Sequence, residues 1–407
     1  LLFADDLALI CQNRSHLQTA LELVQKWADD NEMRFGVGKC GIMGFGEGAK
    51  DRLLLDPNRF RLSGSPVPVV DSYMYLGLPF TSPIDLTGMA VSRAEKGRKV
   101  LNSLRGPLTC VRIPILLRVK IITAILLPVL AYGGELWGMS EERVKEPQRV
   151  LSEALRLLWK LGPRSSVVSS ALLGVELEIP PVFAVVCAAR ARGYRKFSEL
   201  RTTIAKLVQH PPTTRRRTWV TGTKGWLRRY CPLASATNIV ETARLVKASV
   251  WDRVNKNSGG KSFESYHGLN MESTRLYTKL GAHYPQLARG FHWLGRLRLG
   301  SFWTAKKFVR IGWISVEFRT KCPFCLVEGG GEDEAHFLLE CAAWAESREK
   351  FMGELVSENG IAWFNLLGGS REGGGLSEDT LKLRWCPRDN EFNPETELQD
   401  GNEAIQG

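Results

Sequence analysis

The sequence predicts an α+β protein: short antiparallel strands open the chain, helices fill its middle, and a small metal-stabilised module lies near its end. Three observations predict it. Apolar runs broken by polar or glycine-containing turns are confined to the first part of the chain. From Gly88 onward the apolar residues recur three and four apart, the period of a helix. At Cys322 begins a group of cysteines and a histidine at metal-ligand spacing.

The elements follow in order. Residues 1–11, LLFADDLALIC, are two apolar runs around a pair of aspartates, the pattern of a hairpin with a tight polar turn. Ser15 followed by Gln18 forms a capping box, and Leu17, Leu21, Val24 and Ala28 lie behind it on one helical face. Asn31 and Gly36 end that helix, and the glycine-bounded segment RFGVGKCGIMGF is expected to resume as short strands. The aromatic segment 73–80, YMYLGLPF, reads as a further strand. Helices then run from Gly88 to about Leu161, with Pro107, Pro114 and Pro147 expected to mark their breaks. A helical pair joined at Pro180 and Pro181 fills residues 165–200. The expected divisions are 1–87, 88–163, 164–315, 316–350 and 351–407, the last a glycine-rich and acidic tail without fixed structure.

At 407 residues, 44% hydrophobic and 24% charged, the composition is that of an ordinary globular chain large enough for several domains. A net charge of +12 points to a polyanionic partner, because clustered Lys and Arg gain affinity for phosphate by releasing condensed counterions. The excess is larger still outside the tail, since the stretch from Asp389 to the end carries six acidic residues and no basic one. Nine cysteines spread over this length make no disulfide framework and favour a reducing compartment, the nucleus or cytoplasm. The most apolar run, 113–130, is interrupted by Arg118, Lys120 and Pro128, so no membrane span is expected. The chain opens on Leu1 and passes directly into a strand, which suggests the later portion of a longer protein.

Two patterns carry chemistry. Nucleotidyl transfer uses two divalent cations about 4 Å apart, and carboxylates at a hairpin tip suit their binding because the strands fix them while the turn leaves them open. Asp5 and Asp6 are expected at such a tip, and by this reading Asp5 is the Mg2+ ligand and Asp6 supports it. Asp-Asp is also a common solvated turn, and Asp29-Asp30, which follows an alanine as Asp5-Asp6 does, provides an internal control. The second pattern is Cys322, Cys325, His336 and Cys341, spaced C-x2-C-x10-H-x4-C. Three thiolates and an imidazole close a tetrahedral structural Zn2+ site with no position left for catalysis. On an ideal helix His336 and Cys341 would turn partly apart, so the ligand set requires an irregular turn between them.

Basic residues form two further candidates. Residues 190–229 hold twelve Lys or Arg against one acid, Glu199, interleaved with Tyr194, Trp219 and Trp226, a plausible phosphate-tracking surface with stacking rings. Arg215, Arg216, Arg217, Lys224, Arg228 and Arg229 are its candidate contacts, and the arginine triplet also resembles a nuclear-targeting cluster. Residues 289–310 add Arg296 and Arg298 among Phe291, Trp293, Phe302 and Trp303, either a second nucleic-acid surface or a core helix with snorkelling arginines.

The order of motifs carries a resemblance. FADDLALI at 3–10, an amphipathic helix, MRFGVGKCGIM around Lys39 and YLG at 75–77 are similar to the succession that closes the palm of reverse transcriptases from LINE-type, non-LTR retrotransposons. AILLPVLAYGGELW at 124–137 resembles the thumb of that family, and LLGVELEIPPVFAVVCAARAR at 172–192 resembles the helices after it. The cysteine and histidine cluster, with acidic residues ahead of its His, resembles the family's C-terminal zinc finger. Together these patches cover roughly residues 1–345. The resemblance implies a palm remnant, a helical thumb, a basic linker and a CCHC finger. It implies that Asp5 and Asp6 are the catalytic pair, that Lys39 assists the leaving pyrophosphate, and that Tyr75, Leu76 and Gly77 form the primer grip. Phe3 stands where the family more often has Tyr. Lys39 is not a P-loop lysine, because Met33 stands where that motif needs Gly and Cys40 follows where it needs Ser or Thr. No nuclease signature follows Cys341.

The expected function is therefore RNA-directed DNA polymerisation on an RNA template and a DNA primer or target, with dNTP as substrate and Mg2+ and Zn2+ as metals. The family's remaining catalytic aspartate and its fingers precede the hairpin, so this stretch alone is expected to be inactive. The alternative is a non-catalytic, zinc-containing nucleic-acid-binding protein descended from such an element.

Overall fold

The computed structural model describes residues 2–3, 5–46, 48, 60–162, 168–213, 217–258, 266, 277–329 and 331–357. Among these the chain is mainly helical, with three short antiparallel pairs of strands, an α+β protein in the broad sense. The acidic stretch from Asp389 and the rest of the expected tail after Ser357 lie outside the described residues.

Strands β1 (Leu2–Phe3) and β2 (Asp6–Leu7) form the first hairpin, pairing Leu2 with Leu7 and Phe3 with Asp6. Helix α1 (Arg14–Asp30) follows, but its cap is not the expected one. The Asn13 side chain accepts the His16 N–H at 2.9 Å, and Ser15 donates its hydroxyl to the same Asn13 oxygen. Asparagine, as good a cap as serine and two residues earlier, wins the first turn. Gln18 is thereby freed to accept the Arg61 N–H at 3.3 Å. Asn31 ends the helix as expected.

The segment after α1 does not form strands. It holds a single 3-10 turn, Val37–Lys39, and one parallel bridge, Ile42 to Val69. Gly36, Gly38 and Gly41 deprive it of side chains to pack on a sheet, and at Gly41 the Val70 and Tyr73 side chains come within 2.9–3.0 Å of where a Cβ would sit. Leu21, Ile42, Phe60, Leu62 and Val67 make a small core, with Leu9 and Leu17 against it. Leu62 lies in the second pair, β3 (Arg61–Leu62) and β4 (Ser65–Pro66), and Val67 follows it.

The aromatic segment is a hairpin instead of one strand: β5 (Ser72–Tyr75) returns as β6 (Leu78–Thr81). Leu76 at φ 47° and Gly77 at φ 72° are both left-handed, the pattern of a two-residue type I′ turn. Two side chains from the helical body hold this turn. Tyr132 donates its hydroxyl to the Leu76 carbonyl at 2.8 Å, and Arg93 donates to the Gly77 carbonyl.

The helical body begins with α2 (Leu86–Thr109), which packs along α6 (Glu141–Leu158). Between them lie α3 (Ile115–Ile121), a π turn (Ile122–Leu126), α4 (Leu127–Ala131) and α5 (Gly134–Trp137). Pro128 accounts for the π turn: it has no N–H for the preceding turn, and the Leu127 N–H reaches back five residues to the Ile122 carbonyl. Of the three prolines expected to break helices only Pro114 does, by capping α3. Pro147 lies inside α6, where the buried Val144, Val150 and Leu151 hold the helix together across the missing hydrogen bond. Pro107 sits in the last turn of α2.

Helices α7 (Ser170–Glu176) and α8 (Val182–Ser198) meet at Pro180 and Pro181 as expected. Then follow α9 (Thr203–Gln209), α10 (Trp219–Tyr230), α11 (Ile239–Asn257), α12 (Tyr277–His283) and α13 (Ala288–Arg298). One hydrophobic core extends from Met89 to Leu299, crossing the expected boundary at residue 163, with Trp137 and Trp159 wholly enclosed. No described helix is long and apolar enough to cross a membrane.

That core contains a histidine. His292 is 1% exposed, stacks on Trp159 at 5.5 Å and has no hydrogen-bond partner on either ring nitrogen among the described residues. Burial, then the charges of Arg118, Arg296 and Lys160, push its pKa down to about 3. A depressed histidine favours folding fully only above its unfolded pKa near 6.5, and that stability is lost as pH falls toward 3 because the unfolded chain binds the proton first. Lowering the pH from 7.5 to 5 is expected to cost about 2 kcal/mol through this residue, and His292→Phe should remove that part of the pH dependence in urea titrations. An identical pH slope in the variant would assign the acid sensitivity elsewhere.

Candidate metal and nucleic-acid sites

The first hairpin leaves both Asp5 and Asp6 exposed, as an open cation site requires. Two further segments converge beside it. The Tyr73 hydroxyl donates to the Lys39 carbonyl at 2.5 Å. Burial first, and then the nearby Cys40 and Asp6, raise the Tyr73 pKa. Asp6, the Lys39–Cys40 turn and Tyr73 thus share one neighbourhood, although more than sixty residues separate the first from the last. Lys39 itself is exposed at the end of its 3-10 turn. No third carboxylate, histidine or cysteine joins Asp5 and Asp6 among the described residues. Magnesium is usually held by one or two protein carboxylates plus substrate phosphate, so the pair is compatible with it and does not specify it.

Asp29 and Asp30 show the contrast. They end α1 in solvent, where Asp29 accepts from Gln25 at 2.7 Å, and behave as the ordinary solvated turn their position suggests. Tyr75, Leu76 and Gly77 occupy the left-handed turn already described, fastened by Arg93 and Tyr132, and the Arg93 guanidinium lies over the Tyr132 ring at 5.2 Å.

The four metal-ligand candidates come together. One ligand atom from each of Cys322, Cys325, His336 and Cys341 lies within 4.8 Å of all the others. Cys322 Sγ is 3.8 Å from Cys341 Sγ, and Cys325 Sγ is 3.4 Å from His336 Nε2. A tetrahedron with Zn–S bonds of about 2.3 Å has an S–S edge of about 3.8 Å and an S–N edge of about 3.6 Å. The spacing therefore fits a four-coordinate ion and is too long for a disulfide.

Local structure builds that spacing. Leu326, left-handed at φ 59°, closes a tight turn in which its N–H reaches the Cys322 carbonyl at 3.0 Å and the Cys322 N–H reaches Val327 at 3.1 Å. This turn presents Cys322 and Cys325 together. The backbone N–H of Val327 brings the Cys325 thiol down to about 7, toward the thiolate a metal needs. Residues His336–Glu340 form the irregular turn that the spacing requires, a π turn closed by the Cys341 N–H on the His336 carbonyl at 2.7 Å. Its wider pitch returns residue i+5 toward residue i.

Acidic residues ahead of the histidine have roles that sequence reasoning left unassigned. Glu332, 5% exposed, accepts the Ala305 N–H at 2.7 Å and so caps helix α14 (Ala305–Arg310). Asp333 accepts the His336 N–H at 3.0 Å and pairs with Lys306 at 2.8 Å, while Glu334 pairs with Lys307. The run clamps the Cys3His cluster to the basic helix before it. Phe302, Phe337, Trp344 and Phe324 continue the join as a chain of ring contacts at 5.4–5.6 Å. Helix α15 (Ala345–Ser357) follows directly, so the chain after residue 350 begins as a helix.

The two basic patches have different fates. Arg217, Lys224, Arg228 and Arg229 are exposed on or beside α10, whereas Arg215 and Arg216 lie outside the described residues. Arg296 and Arg298 are corrected: both are interior, 4% and 5% exposed. Arg296 donates to the Ser301 carbonyl at 2.7 Å, and Arg298 pairs with the buried Glu176 at 2.7 Å. Neither guanidinium is available to phosphate, and the core-helix alternative holds for residues 288–298.

Compared with protein-family models, curated proteins and solved structures, the chain matches none.

Proposed function

We propose that this chain forms the later part of an RNA-directed DNA polymerase resembling those of LINE-type retrotransposons. The observation that carries the reading is the convergence of Asp6, the Lys39 turn and Tyr73 beside an exposed aspartate hairpin, since three motifs far apart in sequence would meet where the family's polymerase centre lies. In this reading Asp5 and Asp6 hold Mg2+, which would neutralise charge on the transferred phosphate and activate the attacking hydroxyl. Tyr75, Leu76 and Gly77 position the primer on a turn that Arg93 and Tyr132 keep rigid. The exposed arginines of α10 follow the backbone of the RNA template or DNA target, and Zn2+ in the finger orders the end of the body. Such a protein works in the nucleus or in a cytoplasmic ribonucleoprotein.

A second reading, a non-catalytic nucleic-acid-binding protein, is favoured by one fact: the basic helix and the finger need nothing from the aspartate pair. One experiment separates the two. Protein expressed from its complete reading frame is expected to add dNTP to a primed RNA template in Mg2+, with Asp5→Asn lowering the rate more than Asp6→Asn. Absence of templated product, with RNA and DNA binding retained, would leave only the binding role.

A further inference from the structure

Between α6 and α10 lies a cleft of about 450 Å³ whose walls carry Arg143, Arg190, Arg217 and Arg229 and no acidic residue. Some arginines of the helical body have carboxylates, as Arg298 has Glu176, Arg98 has Glu146 and Arg105 has Glu153, while Arg93 and Arg296 are held by single backbone carbonyls. What marks the cleft is four arginines lining it with no acid among them. They pair with no carboxylate among the described residues. Arg190 is 7% exposed, and its guanidinium donates to the Thr223 hydroxyl at 2.9 Å and to the carbonyls of Leu136, Gly138 and Trp219 at 2.8–3.2 Å. These acceptors are neutral. They satisfy four of its five N–H groups and leave its charge buried without a counter-charge, a costly state. Burial, and after it the like charge of Arg143, bring the Arg190 pKa down to about 10.

A second observation is steric. Gly222 and Gly225 lie inside α10 on the wall of the cleft, three residues apart and so on one face. Glycine within a helix costs about 1 kcal/mol relative to alanine. No tight internal contact requires it here, since a Cβ on Gly225 would meet nothing within 4 Å and one on Gly222 only Arg190 at 3.9 Å. The bare backbone deepens the cleft. Trp226 and Tyr230 lie on the same wall with ring centroids 5.2 Å apart; the Arg229 guanidinium lies over Tyr230 at 5.2 Å, and Arg253, paired with Glu141, lies over Tyr230 at 4.4 Å and Trp226 at 5.7 Å.

We propose that this cleft binds a phosphate group of single-stranded nucleic acid, gripped by Arg143 and Arg229 against the buried charge of Arg190, with Trp226 and Tyr230 as a wall for the adjoining base. Its volume suits one nucleotide unit and not a duplex. The site uses no residue of the aspartate hairpin, and it rests on the nucleic-acid role proposed above for the exposed arginines of α10, Arg229 among them.

The test is fluorescence anisotropy with a labelled single-stranded oligonucleotide over a series of salt concentrations. The double variant Arg143→Gln/Arg229→Gln is expected to lower affinity at least tenfold and to flatten the salt dependence, because two phosphate contacts are lost. Lys26→Gln/Lys99→Gln removes two exposed charges outside the cleft and should change affinity less than threefold. Unchanged circular dichroism in both variants separates lost contacts from lost fold. Equal losses in the two variants, or none in the first, would overturn the proposal. So would inorganic phosphate binding the wild type, and not the Arg143→Gln/Arg229→Gln variant, in calorimetry while oligonucleotide affinity ignores the arginine substitutions, since the cleft would then take a small free anion. Equal affinity for duplex, with the same sensitivity to the variants, would overturn the single-strand assignment.

Discussion

Replacing Cys341 with serine is expected to strip the metal from the finger and melt the segment around residues 316–357. Cys341 is 0% exposed and closes the π turn through its own N–H, so it serves as ligand and hinge together. The buried apolar side chains of this segment are few, and its main supports are the tight turn at Leu326, the clamp to α14 and the ring contacts of Phe337 and Trp344. Structural zinc contributes about 10–16 kcal/mol of apparent binding energy at pH 7, an order of magnitude these contacts do not replace. Purified wild-type chain should carry close to one zinc per molecule, and Cys341→Ser and Cys325→Ser close to none, with new proteolytic cleavage in the segment. Glu340→Gln makes a graded control. Glu340 lies 3.5 Å from His336 Nδ1 but is 68% exposed, so its loss should weaken zinc by about tenfold and leave the fold intact. Full zinc content in Cys341→Ser would refute the four-ligand site. The metal-free helical body should keep its cooperative melt, because its core ends at Leu299.

The Cys3His cluster was the most legible feature of the sequence, for a physical reason: residues able to hold a metal are few, chemically distinctive and tightly spaced. Even the irregular turn at His336–Glu340 was implied by the mismatch between the ligand interval and an ideal helix. The hairpin at Asp5 and the break at Pro180 and Pro181 were legible because turns and prolines act locally. Tertiary context overrode the rest. Arg296 and Arg298 have the local pattern of a nucleic-acid contact, and the carboxylate that buries Arg298 is Glu176, 122 residues away. Arg143 drew no notice because it sits among the ordinary alternating charges of α6, and Arg190 and α10 reach it only through the fold. Pro147 reads as a breaker until the packing on both sides of it is known. Two of the three hairpins were visible as apolar runs, but the last, whose turn is Leu76-Gly77, reads in the sequence as one strand. Leucine rarely takes a left-handed turn position unless something such as the Tyr132 hydroxyl holds its carbonyl.

The Glu176–Arg298 pair supplies the other large effect, one that concerns the body of the molecule. Both side chains are 0% exposed, the guanidinium donates through Nε at 2.7 Å and Nη2 at 3.3 Å, and the Tyr266 hydroxyl donates to the same carboxylate. The pair joins α7 to α13 deep in the shared core, where water cannot replace a missing partner. Glu176→Gln keeps the shape and removes the charge, leaving Arg298 buried beside a neutral amide. A loss of about 3–5 kcal/mol is expected, the usual cost of breaking a buried pair from one side. Replacing both partners tests the cause. If the loss arises from an uncompensated charge, Glu176→Leu/Arg298→Met should recover part of it, because apolar groups of similar volume incur no desolvation cost while the Tyr266 hydroxyl still loses the carboxylate it donates to. If it arises from hydrogen bonds that fix the two helices, the double variant should fall further than either single change. Urea midpoints at pH 7 for the four proteins of this cycle distinguish the cases through the sign of the coupling. The first outcome is expected, because Arg298 has the apolar stem to be replaced by Met and the surrounding core already supplies the packing that keeps α13 in place.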